Sequence, residues 1–101
     1  MAKAYWIAHV EVSDPEAYKA YVAANAAAFA KYGARFLVRA GKHEVAEGAS
    51  KSRQVVIEFK DYETALACYR SPEYQAAMAK RAGAAVADLV VVEGYDGPQP
   101  A

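Results

Sequence analysis

The chain has 101 residues, with 12 basic and 12 acidic side chains and a formal net charge of zero. That length is one domain, and with no run of like charge it offers no basic patch for nucleic acid or an anionic membrane surface. Its single cysteine, Cys68, excludes an internal disulfide and a cysteine-based metal cluster. Hydrophobic residues make up 55% of the chain, above the usual ~45–50%. An excess in so short a chain points to a second buried surface, and self-association is its simplest source. The longest apolar run near the end, residues 89–92, is far too short to cross a bilayer. The opening MAKAYWIAH has no secretory apolar core, so the expected compartment is the cytoplasm.

The stretch AYWIAHVEV, residues 4–12, is rich in β-branched and aromatic residues and reads as a buried strand. Ser13-Asp14-Pro15-Glu16 then carries the signals of a helix start: a capping side chain, proline in the first turn and an acid at the positive end. Tyr18, Tyr21, Val22, Asn25, Phe29 and Tyr32 recur at three- and four-residue steps, which is one helical face. Gly33 suits the left-handed position that ends it. ARFLVRAG, residues 34–41, reads as a second strand, and polar residues 42–52 as an extended arm. RQVVIEF, residues 53–59, is a third strand, and residues 62–69 have helical spacing. Ser71-Pro72-Glu73 repeats the start grammar, so a second helix follows to about Arg81, with Arg70 displaced from helical angles at the break. DLVVVEGY, residues 88–95, is the last strand, and Gly94 marks a bulge or a close backbone approach.

The order βαββαβ is an α+β, ferredoxin-like arrangement: a four-stranded antiparallel sheet with helices on one face. Residues 1–97 are expected as the domain and 98–101 as a frayed tail. Alternation divides the strands into two faces. Trp6, Ala8, Val10, Phe36, Val38 and the β-branched pair Val90 and Val92 fall on an apolar face that should meet the helices, with Val55, Ile57 and Phe59. The other face mixes aliphatics with charge: Ile7, His9, Arg35, Arg39, Glu58 and Glu93, together with Leu89 and Val91. Burying that mixed face against a copy of itself satisfies both kinds of side chain, so a face-to-face homodimer is expected. A dimer of dimers stays open.

The stretches YWIAHVEVSDPEAYKAY, ARFLVRAG, VVIEF, ALACYRSPEYQ and ADLVVVEGYDG resemble the bacterial domain-of-unknown-function family 1330, over residues 3–97. The resemblance implies a dimeric α+β barrel, similar to antibiotic-biosynthesis monooxygenases and stress-responsive barrel proteins. It implies no activity. Ala40-Gly41 stands where related sequences usually carry two glycines.

Two groups of residues are candidate sites. His9, Arg35, Arg39 and Glu93, with Glu58 beside them, could combine a general base with anion-binding guanidiniums; the plainer reading is an ion-pair network that fixes dimer register. Trp6, Asn25, Tyr69 and Tyr74 could line a helix–sheet cleft, although aromatics at helical spacing usually build core. Asn25 stands out, because an unpaired amide on an apolar face is costly. His43 and Cys68 read as a surface histidine and a buried thiol. No metal-ligand spacing, phosphate loop or nucleophile elbow occurs, so no metal or other cofactor is expected. Two functions remain. One is a cofactor-free monooxygenase-like or isomerase-like enzyme acting on a small aromatic or carboxylate-bearing molecule. The other is a non-enzymatic stress-response or assembly module.

Overall fold

The computed structural model describes residues 2–100; Met1 and the last residue of the expected tail, Ala101, lie outside the described residues. The elements run β1 (Ala4–Val12), α1 (Pro15–Lys31), β2 (Arg35–Arg39), β3 (Arg53–Phe59), α2 (Tyr62–Arg70), α3 (Pro72–Ala79) and β4 (Ala85–Glu93). The sheet order is β2-β3-β1-β4, with every neighbouring pair antiparallel. This is the α+β ferredoxin-like fold, with the second helix divided in two.

The division has a local cause. Ser71 is extended (φ −66°, ψ 149°), as the residue before a proline prefers. Its hydroxyl donates to the Cys68 carbonyl at 2.7 Å and accepts from the Tyr74 amide at 3.1 Å. One side chain thus ends α2 and caps α3. Arg70 remains helical, which corrects the expectation that it would leave the helix: the steric conflict falls on the residue directly before Pro72. Asp14 and Asp61 cap the other helices, accepting from the amides of Ala17 and Thr64.

The core lies between the helices and one face of the sheet. Trp6 is its centre: its ring packs against Phe29, Phe59, Tyr69 and Tyr74, and its indole nitrogen donates to the Ala65 carbonyl at 2.9 Å. Cys68 is fully buried. Burial pushes its thiol up to about 12, with a smaller contribution from nearby Glu73.

Two strand faces differ from the alternation read in the sequence. In β2 a bulge interrupts the ladder between Phe36 and Val38, so Val38 pairs with Val56 and Arg39 with Val55. The extra residue reverses the parity. Val38 turns to the open face and Arg39 to the helix face. In β4, Val91 pairs with Trp6 and Leu89 with Ala8, while Val90 pairs with Ile7. Leu89 and Val91 therefore pack on the core, and Val90 and Val92 are exposed on the open face. The strand also starts at Ala85 rather than Asp88.

Gly94 makes the close approach expected of it. Its amide donates to the Lys3 carbonyl at 2.7 Å, and a Cβ at this position would stand 2.9 Å from that oxygen.

Candidate functional site

A cleft opens between α1 and the helix face of the sheet. Its inner wall is Trp6, Phe29, Phe36 and Ile57, and the strand positions beneath α1 include the small residues Ala8 and Ala87. Pairing puts Ala8 beside Leu89 and Val10 beside Ala87. Small side chains at the middle of the sheet leave a hollow of about 50 Å³ that α1 does not fill.

Asn25 reaches this hollow from α1. It is 5% exposed, in a lining it shares with the apolar inner wall and three arginines. Its amide has no hydrogen-bond partner among the described residues. The buried side-chain polar atoms left without a partner among the described residues are Arg53 Nε and Glu73 Oε1, so the Asn25 amide keeps access to the hollow and is free to bond what enters it.

Three arginines surround the outer part of the cleft: Arg39, Arg53 and Arg81. Arg39 arrives there through the β2 bulge and lies over the Phe36 ring at 4.2 Å. Arg53 shares the helix face with Val55 and lies 5.4 Å from the Tyr18 ring centre. Arg81 lies 4.9 Å from the Tyr21 ring centre and donates to the Tyr74 hydroxyl at 3.0 Å. Tyr18 and Tyr21 stand 5.3 Å apart between Arg53 and Arg81. Burial raises the Tyr18 phenol, with Tyr21 adding to the effect, and burial likewise raises Tyr74. These phenols stay protonated at neutral pH.

The arginines have no carboxylate partners. The four ion pairs among the described residues all use lysine: Lys3–Glu58, Lys19–Glu16, Lys31–Glu73 and Lys51–Asp88. The Arg53 Nε is fully buried with no acceptor. No Asp, Glu or His lines the cleft.

The constellation read from the sequence is not assembled. Arg39 is on the opposite face of the sheet from His9 and Arg35. His9 bonds Gln54, with the Ser50 hydroxyl at 3.3 Å, and its strand partner is Asp88. Arg35 stands opposite Glu58 in register, yet Glu58 accepts from Lys3 and from the Tyr5 hydroxyl, each at 3.3 Å. Glu93 is exposed at the end of β4. Of the ligand-binding candidates, Trp6 and Asn25 line the cleft. Tyr69 and Tyr74 pack behind Trp6 in the core, and Glu58 is on the other side of the sheet. Arg53 and Arg81 were missed. Arg53 had a signal, since it shares the two-residue phase of Val55, Ile57 and Phe59; Arg81, in the turn after α3, had none.

The family model for a domain of unknown function, DUF1330, matches residues 3–95. The chain belongs to the DUF1330 family. No curated protein matches this DUF1330 chain in sequence. Among solved structures, it is similar to a protein of unknown function from Rhodopseudomonas palustris, with a TM-score of 0.69 and 18% identity, covering 95% of this chain and 85% of that one. It is similar to SnoaB, a cofactor-independent oxygenase from Streptomyces nogalater, with a TM-score of 0.64 and 15% identity, over 99% of this chain and 97% of that one. A dimeric ferredoxin-like protein of unknown function from Bacteroides fragilis matches with a TM-score of 0.61 and 16% identity, over 93% and 98%. At these identities the likeness is one of fold.

A second, wider recess lies under the arm of this DUF1330 chain, between His9, His43, Lys51 and Asp88. The neighbouring arm residues 41–50 are all exposed. Its carboxylate Asp88 is held below its ordinary range by a hydrogen bond from Lys51. Among the described residues, no group of three or more His, Cys, Asp or Glu side chains is placed to hold a metal ion, and no helix is long and apolar enough to cross a membrane.

Proposed function

We propose that this chain is a homodimer that binds a small organic molecule in the helix–sheet cleft and acts on it without a resident cofactor, in the manner of a monooxygenase or an isomerase. The observation that carries the reading is Asn25, a 5%-exposed residue on the cleft lining whose amide makes no hydrogen bond to the protein. A ligand carbonyl or hydroxyl would complete its bonding.

The cleft sets limits on the chemistry. It has no carboxylate or histidine to remove a proton, so the substrate must be acidic enough to arrive as its own anion. The guanidiniums would then hold that anion. From there an isomerase returns the proton to a different carbon. An oxygenase lets the carbanion reduce dioxygen, so that a CH2 group becomes a carbonyl and the second oxygen atom leaves as water. Both electron pairs come from the substrate. SnoaB, described as a cofactor-independent oxygenase, shows that a protein of this fold is described so.

The dimer reading is supported by the open face. Val38, Val56, Ile7 and Val90 form one apolar row across all four strands. Val90 is 59% exposed in the single chain. An identical row from a second copy would bury it, and the cleft, on the opposite face, would stay open. The compartment we read as the cytoplasm, where a lone buried cysteine stays reduced.

The reading is tested with chelator-treated protein and a panel of enolisable ketones, keto acids and hydroxyaromatics. Dioxygen uptake and hydrogen–deuterium exchange at the acidic carbon are followed together. At least one compound should react faster with the native protein than with Asn25→Ala. Uniform silence in both assays, with the protein folded, would leave the rival reading: a non-enzymatic assembly module whose open face only sets pairing.

A further inference from the structure

We infer that the cleft takes a short-chain oxo or hydroxy carboxylic acid, with its carboxylate among Arg39, Arg53 and Arg81 and its second oxygen on Asn25. The inference rests on the cleft being the binding site, and it fixes the charge and size of the ligand.

Charge comes first. A guanidinium cannot shed its proton in a protein, so burial cannot neutralise it. Three of them border one hollow without a carboxylate, and one has a buried, unbonded Nε. The cations that do find carboxylates among the described residues are lysines. The protein therefore leaves these planar, fork-shaped donors without a carboxylate beside a cavity, which suits a carboxylate's two oxygens.

Size comes second. At about 50 Å³ the hollow holds roughly four water-sized probes. That corresponds to an acid of roughly four to six non-hydrogen atoms. Drug-sized and polycyclic ligands occupy ~300 Å³ or more. Held wholly within the hollow they would have to displace Phe29 or Trp6, both nearly fully buried in the aromatic core, and otherwise most of their surface would stand in solvent at the mouth.

Shape comes third. Tyr21 stands with Arg81, and Asn25 lies one turn further along α1, about 6 Å by helical rise. The inner wall between sheet and helix is apolar. A ligand with a charged head, a short carbon chain and one further oxygen matches that sequence of surfaces. Inorganic phosphate matches only the first.

Trp6 is the sole tryptophan and lines the cleft, so its emission reports occupancy. The intact protein is titrated at constant ionic strength with pyruvate, pyruvamide, inorganic phosphate and 1-naphthoate. Pyruvate should give a saturable change, with weaker responses from the other three. Arg53→Met should weaken pyruvate by roughly tenfold or more, the cost of a lost charge-assisted bond. Arg39→Met, at the exposed mouth, should weaken it too and serves if Arg53→Met misfolds. Equal binding of pyruvamide would remove the charge argument, equal phosphate the apolar chain, and stronger naphthoate the size limit. Any of these, or no saturable response to pyruvate, overturns the inference. Turnover of a neutral or larger compound would still uphold the enzymatic reading, so the two can fail separately.

Discussion

Tyr21 and Tyr74 join α1 to α3 through hydroxyls 2.8 Å apart, and Arg81 donates to the same Tyr74 oxygen at 3.0 Å. Both rings are buried. Tyr74→Phe removes two bonds, one of them charged, and should cost about 1–3 kcal/mol. Tyr21→Phe removes one and should cost about 1 kcal/mol. Urea unfolding of the two variants checks the order; equal losses would show that the Arg81 bond contributes nothing.

Ala40 follows β2 with φ at +54°, its amide bonded to the Gln54 carbonyl at 2.8 Å. A left-handed conformation costs an alanine about 1–2 kcal/mol, and glycine escapes that cost. Ala40→Gly should therefore raise stability by about 0.5–1 kcal/mol after glycine's larger unfolded-state entropy is subtracted. A lowered melting temperature would refute it.

Asn25 separates stability from function. Removing an amide that bonds nothing in the protein breaks no hydrogen bond and leaves only a small void, so Asn25→Ala should change stability by less than about 1 kcal/mol in the ligand-free protein. Ligand binding or turnover should nevertheless fall. A loss of about 3 kcal/mol or more would instead show an amide that is bonded within the protein.

Val90 tests the open face. Val90→Lys puts a charge at the end of the Val38–Val56–Ile7–Val90 row. In a face-to-face dimer like charges would meet across the contact. Light scattering should show the native protein as a dimer and the variant as a folded monomer. A variant that remains dimeric would place the contact elsewhere.

The raised thiol of Cys68 gives a prediction at alkaline pH. Its folded value is about 12 against an ordinary 9.0, so the folded chain keeps a proton that the unfolded chain releases. The stability tied to that proton is full below pH 9.0 and is lost as pH climbs toward about 12. Across that window the unfolding midpoint should fall more steeply in the native protein than in Cys68→Ala. Buried Tyr18 and Tyr74 act in the same direction in both proteins, so only the difference between the slopes reports the thiol, and identical slopes would refute its role.

Local chemistry was legible in the sequence, and pairing was not. Asp14 and Ser71 start their helices by bonding amides within three residues, an interaction that short stretches encode completely. The faces of β2 and β4 depend on partners far along the chain. Leu89, Val90, Val91 and Val92 are all apolar, so their spacing contains no phase; only the pairing of Val91 with Trp6 decides which of them enters the core. The bulge before Val38 leaves no mark in a stretch where Leu37 and Val38 are equally suited to either face. Asn25 was visible as a misfit in an apolar stripe, whereas His9 and Arg39 seemed neighbours only because the bulge was invisible.

The bulge also links the two sides of the sheet in heredity. It sends Val38 to complete the apolar row and Arg39 to the cleft in one step. Loss of the codon for Leu37 would remove the bulge yet leave Val38 opposite Val56 and Arg39 opposite Val55, whereas a regular ladder that paired Leu37 with Val56 would exchange the faces of both residues. Under the proposals made above, self-association and anion binding would survive that deletion together and be lost together in the unbulged register, so neither could be traded away through β2 without the other.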